Sequence, residues 1–477
     1  LQNAFQPSKG WACFTRLLGN GLAFERPLED DLNKLSSTHR RTAGFARHFA
    51  LALALASGTA ILTVPGFTDE AHAQKKDKKK EEAKAQYSKE FVAAYQPLNT
   101  ALAAEGSDVN ALRPQIDALI PLAVAPDEQL ATGGLLYNAG NKLSDRALQL
   151  KGMEMMLGSG KLTPEDSARY NFVAYQLANA LQQYPKSRGY LQKAIDAGFA
   201  TETFTTADLE ITMAESYFSA NEFGPGLDYL DRAIKARKAA GQPVDTQWYR
   251  RGITVAYNNK VEPQVYDLVV AWLADYPTVE NWRDAINLTR NLNDYEGPEA
   301  LDMLRLSRRA GVLADKQDYL FYIETADARR LPKEVKDVID EAYAKNAVSK
   351  DDIFVTDSLA TANGRIKADQ AELPVLERDA NAAGASFRTV FAAGDAFLSY
   401  GQYGKAAGFY EKSLGMAGVD RNTALTRLGI AQVGVGDYAA AQASFAKVDG
   451  ARAPIAKLWN AYAVQQAAGV TMTTAAD

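Results

Sequence analysis

The chain has 477 residues, 47% of them hydrophobic and 23% charged, with a formal net charge of −5. That balance belongs to a folded protein able to bury a large core; it argues against disorder and against a nucleic-acid-binding face, which would be basic. Cys13 is the only cysteine and His39, His48 and His72 the only histidines. Beyond residue 73 there is therefore no Ser-His-Asp or Cys-His nucleophile, no disulfide, and no nitrogen or sulfur ligand set for zinc, copper or haem.

In chain order, Arg40, Arg41 and Arg47 precede the apolar run FALALALASGTAILTV at 49–64, and Ala-His-Ala follows at 71–73, the order of a signal peptide. The run carries Gly58, stops at Pro65 and falls short of the roughly 20 apolar residues of a membrane span, so it is expected to export and not to anchor. Residues 39–73 are assigned to this signal, with cleavage after Ala73 and a destination in the periplasm or outside the cell. Residues 1–38 are set aside as an upstream segment outside the native mature protein. The run KKDKKKEEAKA at 75–85 mixes both signs, so 74–86 is expected to be a solvated tether and not a lipid-binding patch. No later segment is long and apolar enough to span a bilayer.

From 87 to 162 the pattern is helical but irregular, as in FVAAYQPLNTALA (91–103), VNALRPQIDALIPLA (109–123) and EQLATGGLLYNAGNKL (128–143). MEMM at 153–156 continues an amphipathic helix and is expected to pack, not to capture a soft metal. GSGK at 158–161 lacks the spacing of a phosphate loop and is expected to be a turn that ends a helix.

One phrase then recurs: YLQKAI (190–195), YLDRAI (229–234), FYEKSL (409–414) and, more loosely, SFAKV (444–448). Aromatic and aliphatic residues three or four apart make one apolar stripe on a helix. Two phrases sit in complete hairpins, VFAAGDAFLSYGQYGKAAGFYEKSL (390–414) and LTRLGIAQVGVGDYAAAQASFAKV (425–448), each with a small residue in the first helix, Gly394 or Gly429, and a Gly-containing turn. Small residues let the second helix lie close to the first. With Ala406 and Ala441 as a ruler, equivalent second-helix positions fall at Ser187, Gly226, Val265, Ala300 and Val335, at steps of 35 or 39 residues and one double step. About 34 residues is what a helix pair with two turns needs. In the double step, Pro374 is expected to interrupt the second helix.

These hairpins resemble the tetratricopeptide repeat, W-x2-L-G-x2-Y, then A-x3-F, then P: Ala393, Gly394, Phe397, Ala406 and Tyr410 follow the pattern in one hairpin, and Leu428, Gly429, Ala441 and Phe445 in the other. Pro277 stands where the family's proline closes a helix, and Trp282 where the next first helix begins. The resemblance implies an all-α, right-handed superhelical solenoid of antiparallel helix pairs over 163–450. A capping helix is expected at 451–468 and a disordered tail at 469–477.

The resemblance also implies function: in that family the first helices line a concave face that receives a peptide or a partner helix. Carried over by position, the groove residues are Arg169, Phe172, Gln176 and Asn179; Ile211, Glu215 and Phe218; Arg250, Thr254, Tyr257 and Asn258; and Arg388, Phe391 and Asp395. Each has a plainer account as an ordinary solvated helix position, just as Trp248, Trp272, Trp282 and Trp459 are expected in the core and not on a sugar-stacking platform. The expected function is an exported, non-catalytic scaffold for a protein or peptide in the bacterial cell envelope, with no cofactor, metal or nucleic acid. Two alternatives stand beside it. One is a helical enzyme that uses a carboxylate pair on envelope polysaccharide; the other is a structural subunit that stacks on copies of itself.

Overall fold

A computed structural model describes residues 86–201 and 204–473. The expected upstream segment (1–38), the expected signal peptide (39–73) and the expected tether through residue 85 lie outside the described residues. Among the described residues the structure is all-α, with one isolated bridge between Thr278 and Thr473 in place of any sheet. No described helix is long and apolar enough to cross a membrane. The chain divides into two units, one ending at Gln242 and one beginning at Pro243.

The first unit contains α1 (Lys89–Ala103), α2 (Arg113–Leu119), α3 (Pro126–Leu143), α4 (Arg146–Gly158), α5 (Pro164–Ala180), α6 (Tyr184–Asp196), α7 (Thr206–Ser219) and α8 (Phe223–Ala239). Local chemistry starts these helices: the side chains of Ser88, Asp145 and Thr163 accept a first-turn N–H, and Pro126 and Pro164 sit where a missing N–H costs nothing. Helix α3 packs on α4 backbone to backbone. A Cβ on Gly152 would lie 2.5 Å from the Gly133 carbonyl oxygen, and one on Gly133 would lie 2.7 Å from that of Gly152. Met153 and Met156 are buried beside this contact, so MEMM packs. Ser159 caps α4 and Gly160 follows at φ +67°, which makes GSGK the end of a helix.

The second unit contains α9 (Thr246–Asn258), α10 (Gln264–Asp275), α11 (Val279–Asn293), α12 (Gly297–Arg309), α13 (Lys316–Ala326), α14 (Pro332–Ala344), α15 (Ile353–Asn381), α16 (Phe387–Ser399), α17 (Tyr403–Leu414), α18 (Arg421–Val435), α19 (Tyr438–Phe445) and α20 (Ala453–Ala467). All seven ruler positions are buried, each within the first four residues of its helix. The small residues do what the hairpins require: a Cβ on Gly394 would lie 2.7 Å from the Tyr410 ring and one on Gly429 2.4 Å from the Phe445 ring. In both units helices pack as successive pairs, α5 with α6, α7 with α8, α9 with α10, α16 with α17 and α18 with α19.

The double step departs from expectation. Pro374 does not interrupt a helix; it lies inside α15, which runs unbroken for 29 residues. Only Val355, Ala362, Leu373 and Ala380 are buried, and spacings of 7, 11 and 7 place them on one narrow stripe. Pro374 is itself exposed, and its missing N–H falls opposite the exposed Gln370.

The C-terminal helix also does more than cap its neighbour. Besides α18 and α19, α20 packs on α10, α11 and α12, helices more than 140 residues earlier in the chain. Repeat arrays are held by neighbouring repeats alone; this unit closes on itself. As a result α12 and α18 are enclosed, with Ala300 to Ser307 buried without a break and Thr423 to Ala431 likewise. The enclosed charges neutralise one another. Asp302 on α12 pairs with Arg305 at 3.1 Å, Arg452 at 2.8 Å and Arg427 at 3.5 Å, while Arg305 also grips Glu334 through two bonds of 2.8 and 2.7 Å. The tail past α20 is held as far as Thr473, which accepts from Val279 N at 2.9 Å and donates to Pro277 O.

Candidate partner-binding face

The buried carboxylates are committed to the core. Burial by itself pushes the Asp302 carboxyl up, but Arg427, Arg305 and Arg452 hold it below the usual range; Glu334 is likewise pushed up by burial and held low by Arg305, with the Tyr322 hydroxyl donating to it at 2.9 Å. Carboxylates buried and paired in this way bind helices together.

In the first unit the groove residues divide. Arg169 is exposed and pairs with Asp166 on its own helix. Gln176, Asn179 and Glu215 are half-buried, and the Asn179 Oδ1 is buried without a hydrogen bond. Phe172, Ile211 and Phe218 are core side chains, a correction to their expected place on a groove. Phe172 packs among Phe199 and Phe204 with ring centroids 5.3 and 5.1 Å away, and the Phe218 ring fills the space over Gly226. Helical position alone did not separate an outward aromatic from one that seals the contact to the next pair.

In the second unit, Phe391 and Asp395 belong to the ion cluster. Asp395 accepts two bonds from Arg427, at 2.7 and 2.8 Å, and one from the Tyr410 hydroxyl at 2.6 Å. Half-buried Phe391 lies between the Tyr410 ring and the Arg427 guanidinium. Arg388 is exposed on the same helix. Phe391 and Asp395 are thus engaged with Arg427 and Tyr410.

Arg250, Thr254, Tyr257 and Asn258 lie together on the outward stripe of α9, and the structure adds helices to either side of their face. Arg250 is half-buried, with its guanidinium 5.5 Å from the Trp272 ring and its Nε without a hydrogen-bond partner. Thr254 bonds back to the Arg250 carbonyl at 2.8 Å, Tyr257 is half-buried and Asn258 is exposed. The field of Arg250 reaches Asp284 on α11, and that of Asp294 reaches Tyr257, while α10 packs against both α9 and α11. On its other margin α11 meets α13: Arg283 bonds Asp315 at 2.9 Å and Asp318 at 3.4 Å, and the Arg290 guanidinium sits 4.7 Å over the Phe321 ring. Three first helices thus present one polar face with Tyr257 and Phe321 set into it.

Asp284, Arg290 and Phe321 were not singled out from sequence, although Trp282 marks the start of α11 and the outward stripe follows from it. Burial raises the Asp284 carboxyl to about 6, against the pull of Arg250 and Arg283. It makes no hydrogen bond or ion pair among the described residues. Burial lowers Arg290, with only the field of Asp318 opposing. All four tryptophans of the described region, Trp248, Trp272, Trp282 and Trp459, are in the core.

No family model matches the chain, and no curated protein does. Among solved structures, a chain in the crystal structure of the APC/C hetero-tetramer Cut9-Hcn1 is similar at 13% identity over 72% of this chain and 68% of its own, with a TM-score of 0.20. A likeness at that score adds nothing to what the helix packing shows.

Proposed function

We propose that the chain is an exported, non-catalytic tetratricopeptide-like scaffold that binds a protein or peptide in the bacterial cell envelope. The observation that carries this reading is the face of α9, α11 and α13, where Arg250 Nε and Asp284 have no hydrogen-bond partner among the described residues and stand beside half-buried Tyr257 and Phe321. Hydrogen-bonding groups left open next to aromatic surface are what an extended polypeptide uses: its amides both donate and accept, and its side chains fill pockets. The commitment of Asp302 and Glu334 to arginines supports the non-catalytic part. The export part rests on residues 39–73 alone.

Affinity capture from a bacterial envelope extract with the chain from Gln74 onward tests the proposal. A stoichiometric foreign polypeptide, lost on combining Arg250→Ala with Asn258→Ala while helix content is kept, is the expected result. Recovery of further copies of the chain alone overturns it in favour of the self-stacking subunit. A reporter fused behind residues 39–73 that stays in the cytoplasm overturns the export part.

A further inference from the structure

Helix α11 carries two charged side chains that form no hydrogen bond or ion pair among the described residues. Its other outward arginine, Arg283, is bound to Asp315 and Asp318, and the two arginines of the next helix that face inward, Arg305 and Arg308, are bound to Glu334 and Glu341. Asp284 and Arg290 stand apart from this pattern. Asp284 is half-buried and forms no hydrogen bond or ion pair among the described residues; the charged groups that face it are Arg250 on α9 and Glu280 and Arg283 on α11. Arg250 stands over Trp272 beyond ion-pair distance, and Arg283 is engaged with α13. Arg290 is half-buried over Phe321, and Asp318, the carboxylate whose field reaches it, already accepts from Arg283 and from Ala314 N. A charge partly withdrawn from water without a partner costs free energy, which an opposite charge on a ligand returns.

The two groups lie on opposite margins of one half-buried stripe, Asp284 toward α9 and Arg290 toward α13. Six residues of helix separate them by about 9 Å along the axis, and the width of the helix brings the span to roughly 10–13 Å. An extended strand advances about 3.3 Å per residue, so three or four residues cover that span. We infer that α11 takes an extended peptide segment bearing a cationic side chain and, three or four residues away, a carboxylate, with Asp284 meeting the first and Arg290 the second. The inference rests on the peptide-binding reading above and names the chemistry of the partner. Phe321 adds a face against which the alkyl part of the segment packs, and its ring keeps the Arg290 guanidinium oriented for a bidentate grip.

An array of 12-residue peptides on an alanine and serine background, each with one Lys and one Glu separated by one to six positions, tests it against the chain from Gln74 onward. The expected result is capture at least 10-fold stronger at separations of three and four than for peptides with Lys or Glu alone. Asp284→Asn abolishes the dependence on Lys, Arg290→Gln abolishes the dependence on Glu, and Asp284→Glu and Arg290→Lys restore part of each. Far-UV circular dichroism verifies that all four variants keep their helix content. Capture without a preferred separation, or a preference that survives both neutral substitutions, overturns the inference and leaves peptide binding standing. Capture of no array peptide overturns the inference and tells against peptide binding as well.

Discussion

Asp302 and Arg452 are 150 residues apart in the chain and meet at 2.8 Å inside the core, with the Asp302 side chain wholly inaccessible to water. The pair joins α12 to the start of α20 and so closes the second unit. Arg305 and Arg427 share the same carboxylate, which makes Asp302 the hub of three guanidiniums. Removing a hub leaves buried charge without compensation, and that penalty exceeds the worth of any single bond. Asp302→Ala is expected to cost about 3–5 kcal/mol in urea unfolding. Asp340→Ala, which breaks the exposed pair between Lys336 and Asp340 within α14, is expected to cost under about 1 kcal/mol. Equal costs would show that the hub does not stabilise the unit.

The closing helix is also tied by backbone accounting. The carbonyl of Leu273 would ordinarily accept from the N–H four residues on, but that residue is Pro277, which has none. Gln465 Nε2 donates to Leu273 O at 2.7 Å, and Gln465 Oε1 accepts from Trp282 Nε1 at 3.0 Å. One buried amide thus serves two orphaned groups. Gln465→Ala is expected to lower stability by about 1–3 kcal/mol in urea titration, with Gln465→Glu failing to restore it, because a carboxylate cannot donate to Leu273. Full rescue by Glu would disprove the account.

The helix pairs were legible in the sequence because close packing leaves a mark at fixed positions: Gly394, Ala406, Gly429 and Ala441 must be small wherever two helices touch, and every ruler position proved buried. The closure was not legible. Arg427 and Arg452 read as ordinary polar positions of terminal helices, and nothing local to either says that its partner lies on α12. Phe172, Ile211 and Phe218 were misplaced for a related reason, since an aromatic on a first helix meets the next pair or water according to the stacking, which one helix does not encode. Pro374 was overweighted, because a proline on the exposed face of a long helix leaves that helix intact here.

The glycines separate into those held by contact and those held by nothing. A Cβ on Gly152 would meet backbone, Gly133 O at 2.5 Å and Tyr137 N at 2.7 Å, which cannot rotate out of the way. Gly152→Ala is expected to destabilise by about 1–3 kcal/mol as α3 and α4 are pushed apart. Gly364, in the exposed interior of α15, has no atom within 4 Å of its would-be Cβ. There Ala is expected to stabilise by about 0.5–1 kcal/mol through helix propensity alone. Denaturant midpoints for the two variants check both signs.

Asp284 gives the stability a defined pH dependence. Burial raises its carboxyl to about 6 in the folded chain, above the 3.8 of a free aspartate, so the folded state holds this proton more firmly than the unfolded state. Its contribution is therefore most favourable below pH 3.8, declines as the pH rises through about 6, and levels off above that. Asp284→Asn removes the dependence, and the difference cancels the groups common to both proteins, including Arg250, Glu280 and Arg283. Urea midpoints at pH 4, 5, 6 and 7 are expected to show the variant gaining on the parent chain from pH 4 through 6, with the gain tapering off between 6 and 7. Parallel curves across the whole range would mean that Asp284 is fully hydrated or paired in the folded chain. A cationic peptide bound at Asp284 is expected to erase the same slope, because pairing the carboxylate returns its affinity for protons toward that of a free aspartate.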